Sequence, residues 1–170
     1  MAQTQERLLA QTPARRERGA STGQTEKRTM APSPAMEATM ADAGASIVAR
    51  GVGAVGLATI GLIHLLDAPG KLDETPYMFW LYLALIAGCL LGAALLLRAH
   101  SRAGWAMTAL LGASPFLGYV LDRTTGLPGA TGDIGNWTEP LGMASLFVEV
   151  CVIALSVYGF TLLRRTSSHI

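Results

Sequence analysis

Polar and apolar positions divide the chain into one long polar stretch followed by four apolar runs. Residues 1 to 44 are Gln, Thr, Ser, Pro, Ala and mixed charges, with no run able to bury itself. This stretch is expected to be a disordered cytoplasmic tail. Beyond it, residues 45 to 170 carry runs at about Ser46–Leu66, Tyr77–Leu97, Ala103–Leu121 and Leu141–Leu163. Each is close to the roughly 20 residues that a helix rising about 1.5 Å per residue needs to cross about 30 Å of hydrocarbon. Backbone amides in hydrocarbon must be satisfied within a helix or a closed barrel, and uninterrupted runs of this length suit helices only. The predicted class is an all-α integral membrane protein, a four-helix up-and-down transmembrane bundle. The first run begins too far along the chain for a cleavable secretory signal, so it is expected to remain as an anchor. Met30, Met36 and Met40 leave room for a later translation start.

Composition agrees. The chain is 51% hydrophobic and 15% charged, which exceeds the apolar content and falls short of the charge of a water-soluble domain. A net charge of +1 gives no basic field for nucleic acid, so no nucleic-acid partner is expected. The placement of charge is more informative. Arg50, Arg98, Arg102, Arg164 and Arg165 flank the runs on one side. The other side has Lys71 and Arg123 against Asp67, Asp73, Glu74, Asp122, Asp133 and Glu139. The positive-inside rule then predicts a multi-pass protein of the cell membrane with both termini cytoplasmic. Tyr77, Phe79, Trp80, Tyr119 and Trp137 fall at the outer interface and Trp105 and Tyr158 nearer the inner one, as aromatic belts require.

Small residues predict where helices touch, because lipid supplies no hydrophobic drive and association relies on close backbone packing. Gly88 and Gly92 have the Gly-x-x-x-Gly spacing, and Gly53, Gly56, Gly61, Gly112, Ser114 and Gly118 extend the pattern. The expected role is packing within the bundle, with self-association through Gly88 and Gly92 as the alternative. Pro115 is expected to bend the third run toward its outer half. Cys89 and Cys151 lie deep in apolar runs and read as small hydrophobes.

Candidate chemistry collects at one end. In an up-and-down bundle the first and third loops share a side, so His64, Asp67 and Glu74 can meet Arg123 and Glu139 over an outer mouth; the bland alternative is solvated loop charge. Glu149 stands apart, about ten residues into the last run, where an ionised carboxylate costs several kcal/mol and should not face lipid. Gly142, Ser145, Glu149 and Ser156 share one helical stripe, which is therefore expected to face inward. Two readings of Glu149 are open: a protonated structural group bonded to Ser145, or a site for a proton, ion or small polar ligand. His64 with Asp67 or Glu74 is the only hint of a metal site, without a zinc spacing. Arg123 is expected to brace the second outer loop by pairing with Glu139 or Glu74, with Gly126 and Pro128 shaping the turn over the mouth. No phosphate loop, nucleophile elbow, paired-Cys motif or His-Glu-x-x-His occurs, so neither a cofactor nor an enzyme is expected.

His64, Pro69 and Glu74 before an aromatic-rich run, and Arg123-Thr-Thr-Gly-Leu-Pro-Gly129 before Glu139-Pro-Leu-Gly142, resemble the motifs of a group of uncharacterised actinobacterial four-helix membrane proteins. The likeness spans about Gly51 to Ser156. Lys71 stands where that group has a second His, and Ser145 near its usual Asp. The resemblance implies the four-helix architecture and the importance of the outer mouth, and no reaction. Two functions follow from the sequence as expectations. One is an accessory or scaffold component that binds a partner, another membrane protein or a second copy of itself, within the bilayer. The other is a small transport or sensing element that admits a cation or proton at the acidic mouth, with Glu149 inside.

Overall fold

The computed structural model describes residues 33–98 and 101–167. It is a four-helix bundle: α1 Pro34–Glu74, α2 Pro76–Arg98, α3 Arg102–Thr124 and α4 Pro140–Ser167. A single 3-10 turn, Thr131–Asp133, interrupts the α3–α4 loop. All four helices are long and apolar enough to cross a membrane. The chain is a multi-pass, all-α membrane protein. α1 packs against α2 and α4, and α3 packs against α4 and, over a shorter stretch, α2.

Two boundaries of the first run differ from expectation. Most of the region read as tail, residues 1–32, lies outside the described residues, but from Pro34 onward that region is helix. Its start is well specified: the Ser33 hydroxyl accepts from Met36 N, Pro34 sits at the first helical position, and Glu37 lies in the first turn. Its polar composition hides it, because hydropathy reports a hydrocarbon span and these roughly three turns of mostly exposed helix need none. At the other end, the expected first outer loop is helical. α1 runs through Pro69, which removes one backbone hydrogen bond, and stops at Glu74, with Thr75 the single residue before α2.

The core lies toward the end of the bundle that carries the α2–α3 connection. Leu57, Ile60, Leu96 and Trp105 are fully buried there, joined by Cys89 and Val152. Glycines set the helix spacing. A Cβ on Gly88 or Gly92 would come within 2.8 or 2.9 Å of the Leu111 side chain, so the Gly-x-x-x-Gly face is occupied by α3 of the same bundle. Gly56 lies against Val152 of α4, and Gly159 lies under the ring of Trp105. Arg50 reaches from α1 to the carbonyls of Leu96 and Leu97 and so caps the end of α2. Gly118 departs from the packing expectation: nothing lies within 4 Å of its missing side chain. It borders an open space.

Candidate functional site

That space is a cavity of about 640 Å³ at the opposite, mouth end of the bundle, lined by all four helices and the α3–α4 loop. Helical continuation of α1 is what builds its first wall. His64, Asp67 and Lys71 are spaced by three and four residues, so a helix puts them on one face, and that face lines the cavity. His64 is 8% exposed. Its Nδ1 lies 2.9 Å from the Ile60 carbonyl oxygen. A carbonyl only accepts, so Nδ1 carries the proton and Nε2 of the neutral ring is left as an acceptor. Asp67 accepts from the Tyr82 hydroxyl at 3.1 Å, and the Tyr82 and His64 rings meet edge to face at 4.8 Å.

α3 and its loop supply the second wall. Arg123, 7% exposed, places Nη1 2.9 Å from Asp133 and 3.2 Å from Asp122, and Nη2 3.6 Å from Glu139. Its guanidinium lies 4.8 Å over the Tyr119 ring. Glu139 also accepts from the backbone N–H groups of Leu141 and Gly142, capping the start of α4. The loop between turns sharply at Gly126 and Gly129, whose φ of 74° and 77° favour glycine, and the Leu127–Ala130 turn contains Pro128 and Gly129. Tyr77 donates to the Pro128 carbonyl at 2.7 Å, tying the loop to the start of α2. Arg123 thus braces the loop through Asp133 as well as the expected Glu139. Glu74 is not its partner. It pairs with Lys71 at 3.1 Å and lines a separate depression with Thr75 and Gly129.

α4 supplies the floor. The inward stripe holds: Ser145, Glu149 and Ser156 are all buried, and Glu149 is 1% exposed although it lies in a membrane-spanning helix. The Ser145 hydroxyl donates to Glu149 Oε1 at 2.5 Å. Oε2 has no hydrogen-bond partner, and Glu149 lines the cavity. A buried polar atom without a partner costs about 1–3 kcal/mol, so its retention asks for a reason.

Of the residues proposed from sequence, His64, Asp67, Arg123, Glu139 and Glu149 converge on this one cavity. Glu74 stays outside it, and with it goes the pairing of His64 with Glu74, which lie ten residues, roughly 15 Å, apart along one helix. Among the described residues no group of three or more His, Cys, Asp or Glu side chains gathers to hold a metal ion. Sequence reasoning passed over Tyr82, whose hydroxyl in the middle of an apolar run was the available signal, since such a group needs a partner. Five carboxyl groups, Asp67, Asp122, Asp133, Glu139 and Glu149, face the cavity against two basic ones, Lys71 and Arg123. Met78, Leu85, Leu111 and Leu141 make the rest of its wall apolar. Such a chamber can hold a small molecule with a positive or donor-rich polar end and an apolar body. Comparison with family models, curated proteins and solved structures finds no match for this chain.

Proposed function

We propose that the protein is a ligand-binding element of the cell membrane, a sensing module that takes a small organic cation into the mouth cavity, with Glu149 as its innermost contact. The observation that carries this reading is Glu149, buried with an unpartnered Oε2 in the lining of a cavity whose carboxyl groups outnumber its basic ones. A cationic group would satisfy that atom and offset the charge excess. An accessory or scaffold role, the first expectation from sequence, has no use for an ionisable group enclosed at membrane depth. Transport is the weaker form of the same reading, because four helices without an internal repeat offer little material for alternating access. The arginines at the ends of the spans, Arg50, Arg98, Arg102, Arg164 and Arg165, support cytoplasmic termini and an outward mouth.

The test is stabilisation by ligand. Butylamine at millimolar concentration should raise the unfolding midpoint of the detergent-solubilised protein and leave Glu149→Gln unmoved, by mass action on the folded state. Equal shifts in the two proteins would remove Glu149 from the site.

A further inference from the structure

Resting on the cation-binding reading, we infer that the ligand is a single-chain amphiphile with a protonated amine head, and that it enters the cavity from the bilayer through a gap between α2 and α3.

The gap follows from where these helices touch. They approach closely where Gly88 and Gly92 meet Leu111. Toward the mouth, the cavity lies between Met78–Leu85 of α2 and Ser114–Arg123 of α3. Leu81 and Leu110 line the cavity and are also 61% and 62% exposed. A side chain that belongs to both an inner wall and the outer surface marks an opening between the two. The outer surface there is the apolar face of two membrane-spanning helices, so the opening faces acyl chains. Small bulk on α3 keeps it wide: Gly118 has no side chain and no neighbour within 4 Å of where one would start.

A loop spans the route from water. The α3–α4 loop crosses the mouth and is held there by Arg123 on Asp133 and Glu139 and by Tyr77 on Pro128. A ligand that already partitions into the bilayer avoids this loop. Its chemistry is set by the two ends of the chamber. The polar end is lined by His64 and Glu149, with one ring nitrogen and one carboxyl oxygen still open to a donor, and by Asp67 and Asp122. An ammonium group, with three donors and a positive charge, matches them. The side opening presents Leu81, Leu85 and Leu110, which match a saturated chain.

The full chain in phosphatidylcholine nanodiscs provides the test, with two photoreactive probes: decylamine and decanol, each carrying a mid-chain diazirine. Label from the amine should fall at least fivefold more on Leu81, Leu85 and Leu110 than on the lipid-facing Val52 and Val55 of α1. Unlabelled dodecylamine should displace it, and decanol should label both sets alike. Decanol concentrating in the gap as strongly as the amine would overturn the cationic head. Amine label spread evenly over the lipid face, while butylamine still stabilises wild type and not Glu149→Gln, would overturn the side entry alone. Even labelling together with no Glu149-dependent stabilisation by butylamine would overturn both readings.

Discussion

Removing Arg123 is the sharpest perturbation of the mouth. In Arg123→Ala, Asp122, Asp133 and Glu139 lose the cation that lies 2.9 to 3.6 Å from them. At an effective dielectric near 20, each contact is worth roughly 5 kcal/mol before desolvation is subtracted. Desolvation removes most of that, and truncating one partner of a buried pair leaves about 3–5 kcal/mol of destabilisation. Arg123 and Asp122 are buried, whereas the Asp133 and Glu139 side chains are 35% and 40% exposed, where water screens the pair. The expected loss is therefore at the low end, about 3 kcal/mol. Arg123→Lys should fall between, near 1 kcal/mol, since one ammonium can replace Nη1 between Asp122 and Asp133 but not Nη2 or the flat face on Tyr119. Reversible unfolding in mixed detergent micelles measures all three proteins. A cycle with Asp133→Asn should then return a coupling of about 1 kcal/mol or more. An alanine variant as stable as wild type, or a coupling indistinguishable from zero, would mean that the arginine rests on lipid phosphate and braces nothing.

Three further outcomes follow from the geometry. Gly159→Ala should destabilise by about 1–3 kcal/mol, because its Cβ would overlap a fully buried Trp105 ring; full stability in thermal unfolding would show that the ring can move aside. Glu149→Met should raise stability by about 1 kcal/mol, since it removes an unpartnered buried acceptor and Ser145 can turn to a backbone carbonyl; a loss of stability instead would make Glu149 a structural anchor. On a background without Cys89 and Cys151, an impermeant thiol reagent applied to intact cells should label cysteines placed at Gly70 and Gly132 and spare one at Ser101, and the reverse pattern would invert the topology.

The four spans were legible because a continuous apolar run of about 20 residues has few solutions in lipid. The same signal is blind where lipid is not the solvent. The start of α1 at Pro34 is fixed by a cap and by helix-forming residues, and the end at Glu74 by continuation through Pro69, neither of which hydropathy reports. Glu149 was legible for the opposite reason: a carboxyl group in hydrocarbon has to face inward, and its stripe with Ser145 showed which way. Ion-pair choice was only half legible. Arg123 with Glu139 was within reach of the sequence, but Asp133 is brought to the same guanidinium by a 3-10 turn and by Gly135 N–H donating to the Arg123 carbonyl, which charge counting does not reveal. The cavity itself was not legible, since it is defined by what Gly118 leaves unfilled.

The length of α1 has a mechanical consequence. At 41 residues it is roughly 60 Å long, about twice the hydrocarbon thickness, so one continuous helix joins the cavity wall to Pro34 with about half its length beyond what a span needs. His64, Asp67 and Lys71 sit near one end of this rod, Pro34 forms the other, and the close contact of Gly56 with Val152 lies between them. With about 33 Å between Gly56 and Pro34, each 5° of tilt about that contact would displace the far tip by roughly 3 Å. A change in the tilt of the chamber wall would therefore be read out, magnified, at the Pro34 end of the same helix.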